Sequence, residues 1–406
     1  MSKIKDPSLA DKGKIQYEWA KAHMQILTHA ITKLKKSRPL HATTLGVCLQ
    51  ITKETSVLLM GLQELGAKVI CCGGNPLTTQ DDIAAFLDSQ GIKIFAWSNQ
   101  TKSEYDWCQN MVLEHKPDII TDDGGDLNIK AHKSKLKILG ATEETTTGIT
   151  RYQSMAKQGK LHYPIISVND ARTKKLFDNQ YGTGQSTIDG FLQAMNLLFA
   201  SKKIVIAGYG WLGKGVAKKC QGMGAKCVIT EIDPIKALEA HMDGLEVMPM
   251  NQAAKLGDIF ITCTGMRDII TKEHLLSMKD GAIVGNVGHF DVEIDAKFLL
   301  SQKTRQVRPN LDECILPNKK KIYLVSKGRV ANLIASEGHP AEIMALSFSN
   351  QLYSILYILK HYKKMKNQVY PVPEEIDSQI AQDALDSANL KIDKLTKKQI
   401  QYQSSW

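Results

Sequence analysis

Residues 204–215 read IVIAGYGWLGKG, an apolar run that ends in Gly208, Gly210 and Gly213, spaced G-x-G-x-x-G. An apolar run followed by that spacing predicts a buried strand, a tight turn and a helix whose free N–H groups face an anion. The three glycines supply the turn, a close backbone approach to a pyrophosphate, and close strand–helix packing. The next strand, within KCVITEID, ends at Glu231, twenty-one residues after Gly210. A carboxylate there accepts hydrogen bonds from ribose hydroxyls and repels a 2′-phosphate, which favours NAD over NADP. This commits the chain to an α/β fold with a dinucleotide site. The motif nevertheless has 203 residues ahead of it, so another folding unit must stand first.

That leading unit shows the same alternation. TTLGVCLQI reads as a strand and KETSVLLMGLQEL as an amphipathic helix. AKVICCGG, IKIFAW, PDIITDDGGD, LKILGATEE and PIISVND read as further strands or strand ends. Strands alternating with helices predict a mostly parallel sheet covered on both faces. After Asn169 the sequence suggests a loop and then a helix. KIVIAG, KCVITEID, DIFITCTG, GAIVGNVG and KIYLVS form a second strand set, and a helical stretch, AEIMALSFSNQLYSILYILKHY, follows before a Lys-rich tail. The expected fold class is two α/β domains with a cleft between them, plus a short C-terminal segment.

With 406 residues, 43% hydrophobic and 23% charged, the composition is that of a globular protein of more than one domain. The charged N-terminus argues against a secretory signal, and no apolar run is long enough to span a membrane, so a cytoplasmic location is expected. Eight cysteines lie in apolar runs or alone, without metal-ligand spacing; they read as reduced thiols, and no metal is expected. The net charge of +10 comes from scattered lysines and lacks an Arg-rich or aromatic-interleaved module, so solvated surface is expected, with no nucleic-acid partner.

Three polar clusters remain. TDDGGD (121–126) and TEETTTG (142–148) sit at strand ends, and RTKKLFDN (172–179) places Lys174 and Asp178 four apart, on one face if helical. Singly, each reads as a turn, a cap or a surface ion pair. Their convergence on one cleft favours function. A lysine near carboxylates and a nicotinamide is a plausible acid/base for oxidising an alcohol. In GNVGHFD, His289 ends a strand near the cofactor, where a histidine is as often structural as catalytic.

Five motifs, VNDARTKKLFDNQYGTGQSTIDG, IAGYGWLGKG, VITEIDPIKALEA, NVGHFDVEID and EGHPAEIM, together resemble the S-adenosyl-L-homocysteine hydrolase (adenosylhomocysteinase) family. YGTGQS and the short ending QSSW resemble its archaeal and thermophile-type branch; the animal-type branch has a Cys at Thr183 and a longer tail. The resemblance implies a substrate-binding domain over 1–180, a Rossmann domain over 181–338, a return to the substrate domain over 339–374, and an oligomerisation or cofactor tail over 375–406. Two hinges then let closure carry NAD over a bound nucleoside.

The resemblance also implies the chemistry. NAD oxidises the ribose 3′-hydroxyl, homocysteine is eliminated from C5′, water adds, and NADH restores the alcohol. Lys174 matches the base for the 3′-hydroxyl, oriented by Asp178. Glu144 matches a ribose ligand, and Asp123 serves the elimination edge. Thr52 and Glu54 match adenine-side contacts, with His339 in the cleft on both substrate and cofactor sides. Thr145, Thr146, Thr147 and Asn179 match positions reaching NAD from the substrate domain. Gly208, Gly210, Trp211, Leu212, Gly213, Lys214, Gly215, Glu231, Val287, Gly288, His289 and Asn332 match cofactor positions. Lys236, also matched to a cofactor position, stands where some members carry an Asn that contacts the adenosine ribose. Gln50 stands where the family typically has a histidine, which puts proton transfer beside Asp123 in question. A homotetramer in the methyl cycle of one-carbon metabolism is implied. Two alternatives stay open: hydrolysis of another nucleoside thioether such as S-inosylhomocysteine, against which Glu54 argues, and an impaired paralogue that binds NAD and nucleoside without turnover. A 2-hydroxy-acid dehydrogenase would share the Rossmann half but would not need TDDGGD or TEETTTG.

Overall fold

Two sheets whose central strands are buried on both faces organise the computed structural model, which describes residues 2–288 and 290–406. The first contains β1 (Thr44–Leu49), β2 (Lys68–Gly73), β3 (Lys93–Phe95), β4 (Ile119–Asp122), β5 (Gly140–Glu143) and β6 (Ile165–Ser167). The second contains β7 (Lys203–Ala207), β8 (Lys226–Thr230), β9 (Glu246–Val247), β10 (Ile259–Thr262), β11 (Ala282–Asn286), β12 (Lys303–Arg308), β13 (Leu311–Ile315) and β14 (Lys321–Val325). The chain then returns and adds β15 (Val369–Pro371) to the edge of the first sheet, giving the order β15-β6-β5-β4-β1-β2-β3, parallel throughout. The second sheet runs β12-β13-β14-β11-β10-β7-β8-β9.

Alternate residues of each central strand enter different cores. Val69 and Cys71 of β2 pack on one side of the first sheet, and Ile70 and Cys72 on the other. In the second sheet Ile204 and Ile206 of β7 face one core and Val205 the other. Two-sided burial is why these strands read as continuous apolar runs. All eight cysteines are free thiols, and seven are buried.

The strand order reverses beside β1 in the first sheet and beside β7 in the second, and ligand crevices of open α/β sheets form at such points. Gln50 follows β1, Asp123 follows β4 and Glu144 follows β5; Gly208 follows β7. The crossover helix Trp211–Gly222 packs on the neighbouring segment so closely that a Cβ at Gly215 would lie 1.9 Å from the Gln180 carbonyl oxygen. Packing alone therefore requires glycine there.

The structure departs from the sequence reading in three places. The hairpin β12–β13 is antiparallel and adds to the rim of the second sheet, outside the βα alternation; every residue of β12 is exposed, and its Lys and Arg residues protect an open edge. After Asn169 there is no extended loop: a turn of helix (Arg172–Lys174) passes into a π-helical segment (Lys175–Gly182) and then the helix Thr183–Met195. The tail carries a docked helix, Glu374–Ser387, whose Asp377 accepts hydrogen bonds from the Arg172 and Thr173 N–H groups at 2.6 and 2.9 Å. Those two N–H groups would otherwise be orphans, so the tail caps this helical turn.

One buried network fixes the ends of β4 and β5. Glu143 Oε1 accepts from the Gly124 N–H (2.9 Å), the Thr145 N–H (2.9 Å) and the Thr145 hydroxyl (2.7 Å). Tyr152 reaches Glu143 Oε2 at 3.0 Å and Asp122 Oδ2 at 3.3 Å. A single phenolic proton cannot serve both carboxylates, so one carboxyl must carry a proton of its own. Burial pushes Asp122 up to about 7 and raises Glu143 well above the carboxylate range. Since unfolded Asp titrates near ~3.9, the native state holds this proton more tightly, and the stabilisation is complete below about pH 4 and lost as pH rises through 7. The melting temperature is therefore expected to fall from pH 5 to pH 9. Glu143→Gln, which keeps the acceptor oxygen, should flatten that fall, while Glu143→Ala should destabilise by about 3 kcal/mol through its stranded donors. Identical pH slopes for wild type and Glu143→Gln in differential scanning fluorimetry would contradict the shared proton.

Candidate active site

The π-helical turn brings Lys174 and Asp178 together as a buried pair, Nζ to Oδ1 3.2 Å. π-helical turns are frequent at functional sites because they re-aim side chains that an α-helix would hold in register. Lys174 Nζ also donates to Asn179 Oδ1 at 2.8 Å and lies 3.9 Å from Glu144 Oε1. Asp178 is held from elsewhere: the Ser347 hydroxyl donates to Oδ2 at 2.7 Å, and His339 Nδ1 lies 3.2 Å from Oδ1. Burial alone would raise Asp178, but Lys174 and His339 outweigh it and hold the carboxylate well below its usual range. Burial likewise opposes the charge on Lys174, and Asp178 with Glu144 outweighs it, so the lysine stands as an ammonium.

Glu144 is the contrasting carboxylate. Burial pushes it up to about 8 against the pull of Lys174. Its Oε2 accepts from Gln351 Nε2, while its Oε1 has no hydrogen-bond partner among the described residues. A buried acceptor left open beside an ammonium suits a ligand hydroxyl.

Across the crevice, Gln50 Nε2 donates to Asp123 Oδ2 at 2.9 Å, and the Thr78 hydroxyl donates to Gln50 Oε1. Thr78 thereby fixes which end of the amide faces Asp123. Thr52 caps the helix Lys53–Glu64, and Glu54 is buried in its first turn.

The cofactor side meets the demands of a dinucleotide. Gly208 has φ +101°, a Cβ on Gly213 would lie 2.0 Å from the Gly208 carbonyl oxygen, and no atom lies within 4 Å of where a Cβ on Gly210 would stand. The turn thus needs glycine at 208 and 213 and leaves an open approach at Gly210. The helix that begins at Trp211 has no side-chain cap, so its first N–H groups stay available. Glu231 is oriented by the Tyr209, Ile232 and Asp233 N–H groups at 2.8, 2.7 and 3.1 Å. Although burial raises it, these donors bring its pKa below the usual value, and it stands as a carboxylate suited to ribose hydroxyls. The residues present fit NAD.

The other expected residues distribute as follows. Asn332 is buried beside Ser186 with its Oδ1 unpartnered, and the ring nitrogens of His339 face Asp178 and the Thr183 hydroxyl. Val287 and Gly288 follow β11, where Asn286 Oδ1 accepts the Gly288 N–H at 2.8 Å. Thr145 spends its hydroxyl on Glu143 and on capping its helix, and Thr146 accepts from Asn169 at 3.0 Å, whereas Thr147 is half-buried in the first turn of that helix. Lys214 pairs with Glu239 at 2.5 Å and sits over the rings of Tyr209 and the exposed Trp211, and Leu212, next after Trp211, is half-buried. Lys236 pairs with Asp233 at 3.6 Å at an exposed helix start. His289 lies outside the described residues. Among those described, no group of His, Cys, Asp and Glu could hold a metal ion, and no helix is long and apolar enough to cross a membrane.

Sequence reasoning missed the residues that hold this site in place. Ser347 and Gln351, one turn apart on the helix Ala341–His361, orient Asp178 and Glu144; Thr78 orients Gln50. In the second sheet Glu293 accepts from the Thr264 and Gly265 N–H groups at 3.0 and 2.8 Å and shapes the loop after β10. A signal was present: Ser347, Ser349, Asn350, Gln351 and Ser354 interrupt an otherwise apolar helix, and all five are fully buried.

A family model described as S-adenosyl-L-homocysteine hydrolase matches residues 1–137, and one described as S-adenosyl-L-homocysteine hydrolase, NAD binding domain, matches residues 179–338. The adenosylhomocysteinase of Sulfurisphaera tokodaii is 51% identical over 408 residues, covering 100% of this chain and 98% of that protein. That of Aeropyrum pernix is 46% identical over 410 residues, covering 100% and 99%. The S-inosyl-L-homocysteine hydrolase of Methanococcus maripaludis is 47% identical over 412 residues, again covering 100% and 99%. With family models matching residues 1–137 and 179–338 and relatives aligned from end to end, this chain belongs to the S-adenosyl-L-homocysteine hydrolase family.

Proposed function

We propose that this chain hydrolyses S-adenosyl-L-homocysteine to adenosine and homocysteine with NAD as its resident cofactor. The observation that carries the reading is the buried Lys174–Asp178–Glu144 cluster, with the open Oε1 of Glu144 beside the ammonium. NAD bound at the glycine turn and Glu231 supplies hydride acceptance and return at the ribose C3′. The chain's own residues bind and move protons. Glu144 accepts from the ribose hydroxyls. Lys174 serves as the base for the 3′-hydroxyl only after it has given up a proton, and Glu144, 3.9 Å away, is placed to take it when ionised. Asp178, pinned by Ser347 and His339, keeps Lys174 aimed. Asp123 and Gln50 line the C4′–C5′ edge. Glu54 and Thr52 take the purine, and a carboxylate there favours an exocyclic amine over the carbonyl of an inosyl group.

A cytoplasmic homotetramer is the assembly we propose. Leu390, Ile392 and Leu395 are exposed on the C-terminal segment, and an assembly would bury them. A monomer by light scattering would remove that part of the reading.

The purified protein is expected to yield about one NAD per chain on acid extraction and to release homocysteine thiol from S-adenosylhomocysteine when adenosine deaminase draws off the product. No thiol release after reconstitution with NAD would overturn the activity.

Lys174→Ala should abolish the NADH absorbance produced on adding adenosine, while the fold stays intact by circular dichroism. Lys174→Arg keeps the charge but cannot titrate, so it should be nearly as inactive. A fully active arginine variant would assign the lysine to electrostatics alone.

Gln50 holds Asp123 by a hydrogen bond but cannot titrate. Loss of general acid/base help typically slows a step ~10²–10⁴-fold. Gln50→His is therefore expected to increase thiol release while leaving NAD reduction by adenosine unchanged. Equal or lower thiol release would show that the glutamine is fitted to this site.

A further inference from the structure

Lys53 is an anomalous residue for its position. It opens the helix Lys53–Glu64, where the positive end of the helix dipole disfavours a cation, and it is buried. Its Nζ lies 3.3 Å from Glu54 Oε1 and 2.6 Å from Glu337 Oε2. Glu337 belongs to the crossover, two residues before His339 and 284 positions along the chain from Lys53. A buried cation at a helix start needs anionic partners, and here one is the adjacent Glu54 and the other comes from a distant part of the chain. The contact ties the purine side of the first sheet to the segment by which the chain returns from the second.

We infer that Lys53, pinned by Glu337, sets the purine preference of the site by keeping the Glu54 carboxylate ionised, so that it accepts from a 6-amino group and opposes a 6-oxo group. The inference rests on the placement of Glu54 beside the purine. Glu54 is buried, and burial raises its pKa, with Lys53 the foremost opposing influence. Without the lysine, Glu54 binds a proton more readily, and its carboxylic acid form can donate to a 6-oxo oxygen. The ionised group instead sets acceptor against acceptor when a 6-oxo purine enters, leaving both without a partner. One cation thus separates two substrate classes that share every other contact of the nucleoside.

The test compares adenosine with inosine by equilibrium dialysis, and S-adenosylhomocysteine with S-inosylhomocysteine by kcat/KM, at neutral pH. The wild-type protein is expected to favour the adenine compound in both measurements. In Lys53→Met the preference should fall about tenfold or more, one pKa unit on Glu54 being worth a factor of about ten. Adenosine should bind more weakly and inosine more tightly. Lys53→Arg, which retains the cation, should keep the wild-type ratio. Glu337→Gln should shift the ratio in the same direction by less, and as an exposed substitution it carries the test if Lys53→Met fails to fold. An unchanged ratio in the methionine variant, or in Glu337→Gln when that variant stands in, would overturn the assignment. A wild-type protein that favours inosine would also overturn it while leaving hydrolysis intact, and one that hydrolyses neither thioether would remove the activity on which it rests.

Discussion

The Asp178 carboxylate is buried, and everything at the site depends on how its charge is satisfied. Water cannot reach it, so it takes Lys174 from its own turn, Ser347 from the helix after the crossover, and His339 from the crossover itself. A buried charge of this kind is tolerable only when its partners are all in place. The pair therefore does more than aim a lysine. It requires that residues 172–182, residue 339 and residue 347 meet at one point, which holds only when the chain has passed through the second sheet and returned.

The same logic repeats outward at each shell. Asp377 caps the turn that carries Lys174, and Asn350 donates to the Thr173 hydroxyl at 2.8 Å. Glu143 ties the loops after β4 and β5, so Asp123 and Glu144 stand side by side at strand ends that a parallel sheet has already brought close. The polar face of the helix Ala341–His361 supplies Ser347, Asn350 and Gln351 to Asp178, Thr173 and Glu144, and its apolar faces pack into the core that includes β1 and β2. The protein thus uses one helix both as core and as scaffold for charge. Lys174 and Glu144 can differ in protonation behaviour across 3.9 Å because their surroundings differ: Lys174 has two carboxylates, while Glu144 has one cation and an open oxygen.

The central strands of both sheets were legible because two-sided burial writes an unbroken apolar run, whereas β9, β12, β13 and β15 lack one; the dinucleotide turn was legible from its glycine spacing after such a run. The strand-end clusters were visible as unusual polar residues after those runs. By itself the sequence determined two mostly parallel sheets, a glycine turn followed by Glu231, and a lysine–carboxylate spacing of four. Periodicity is local, and each of these signals lies within a few residues. What only the tertiary structure decided is which groups share a site and in what protonation state. The π-helical turn, the docking of Asp377, the Ser347 and Gln351 contacts, the Thr78–Gln50 alignment and the Lys53–Glu337 bridge join residues up to 284 positions apart, and no local pattern encodes such pairs. Lys174 illustrates the division. Its identity and spacing could be read from the sequence, but its charge is set by burial and by neighbours that meet only in the folded chain.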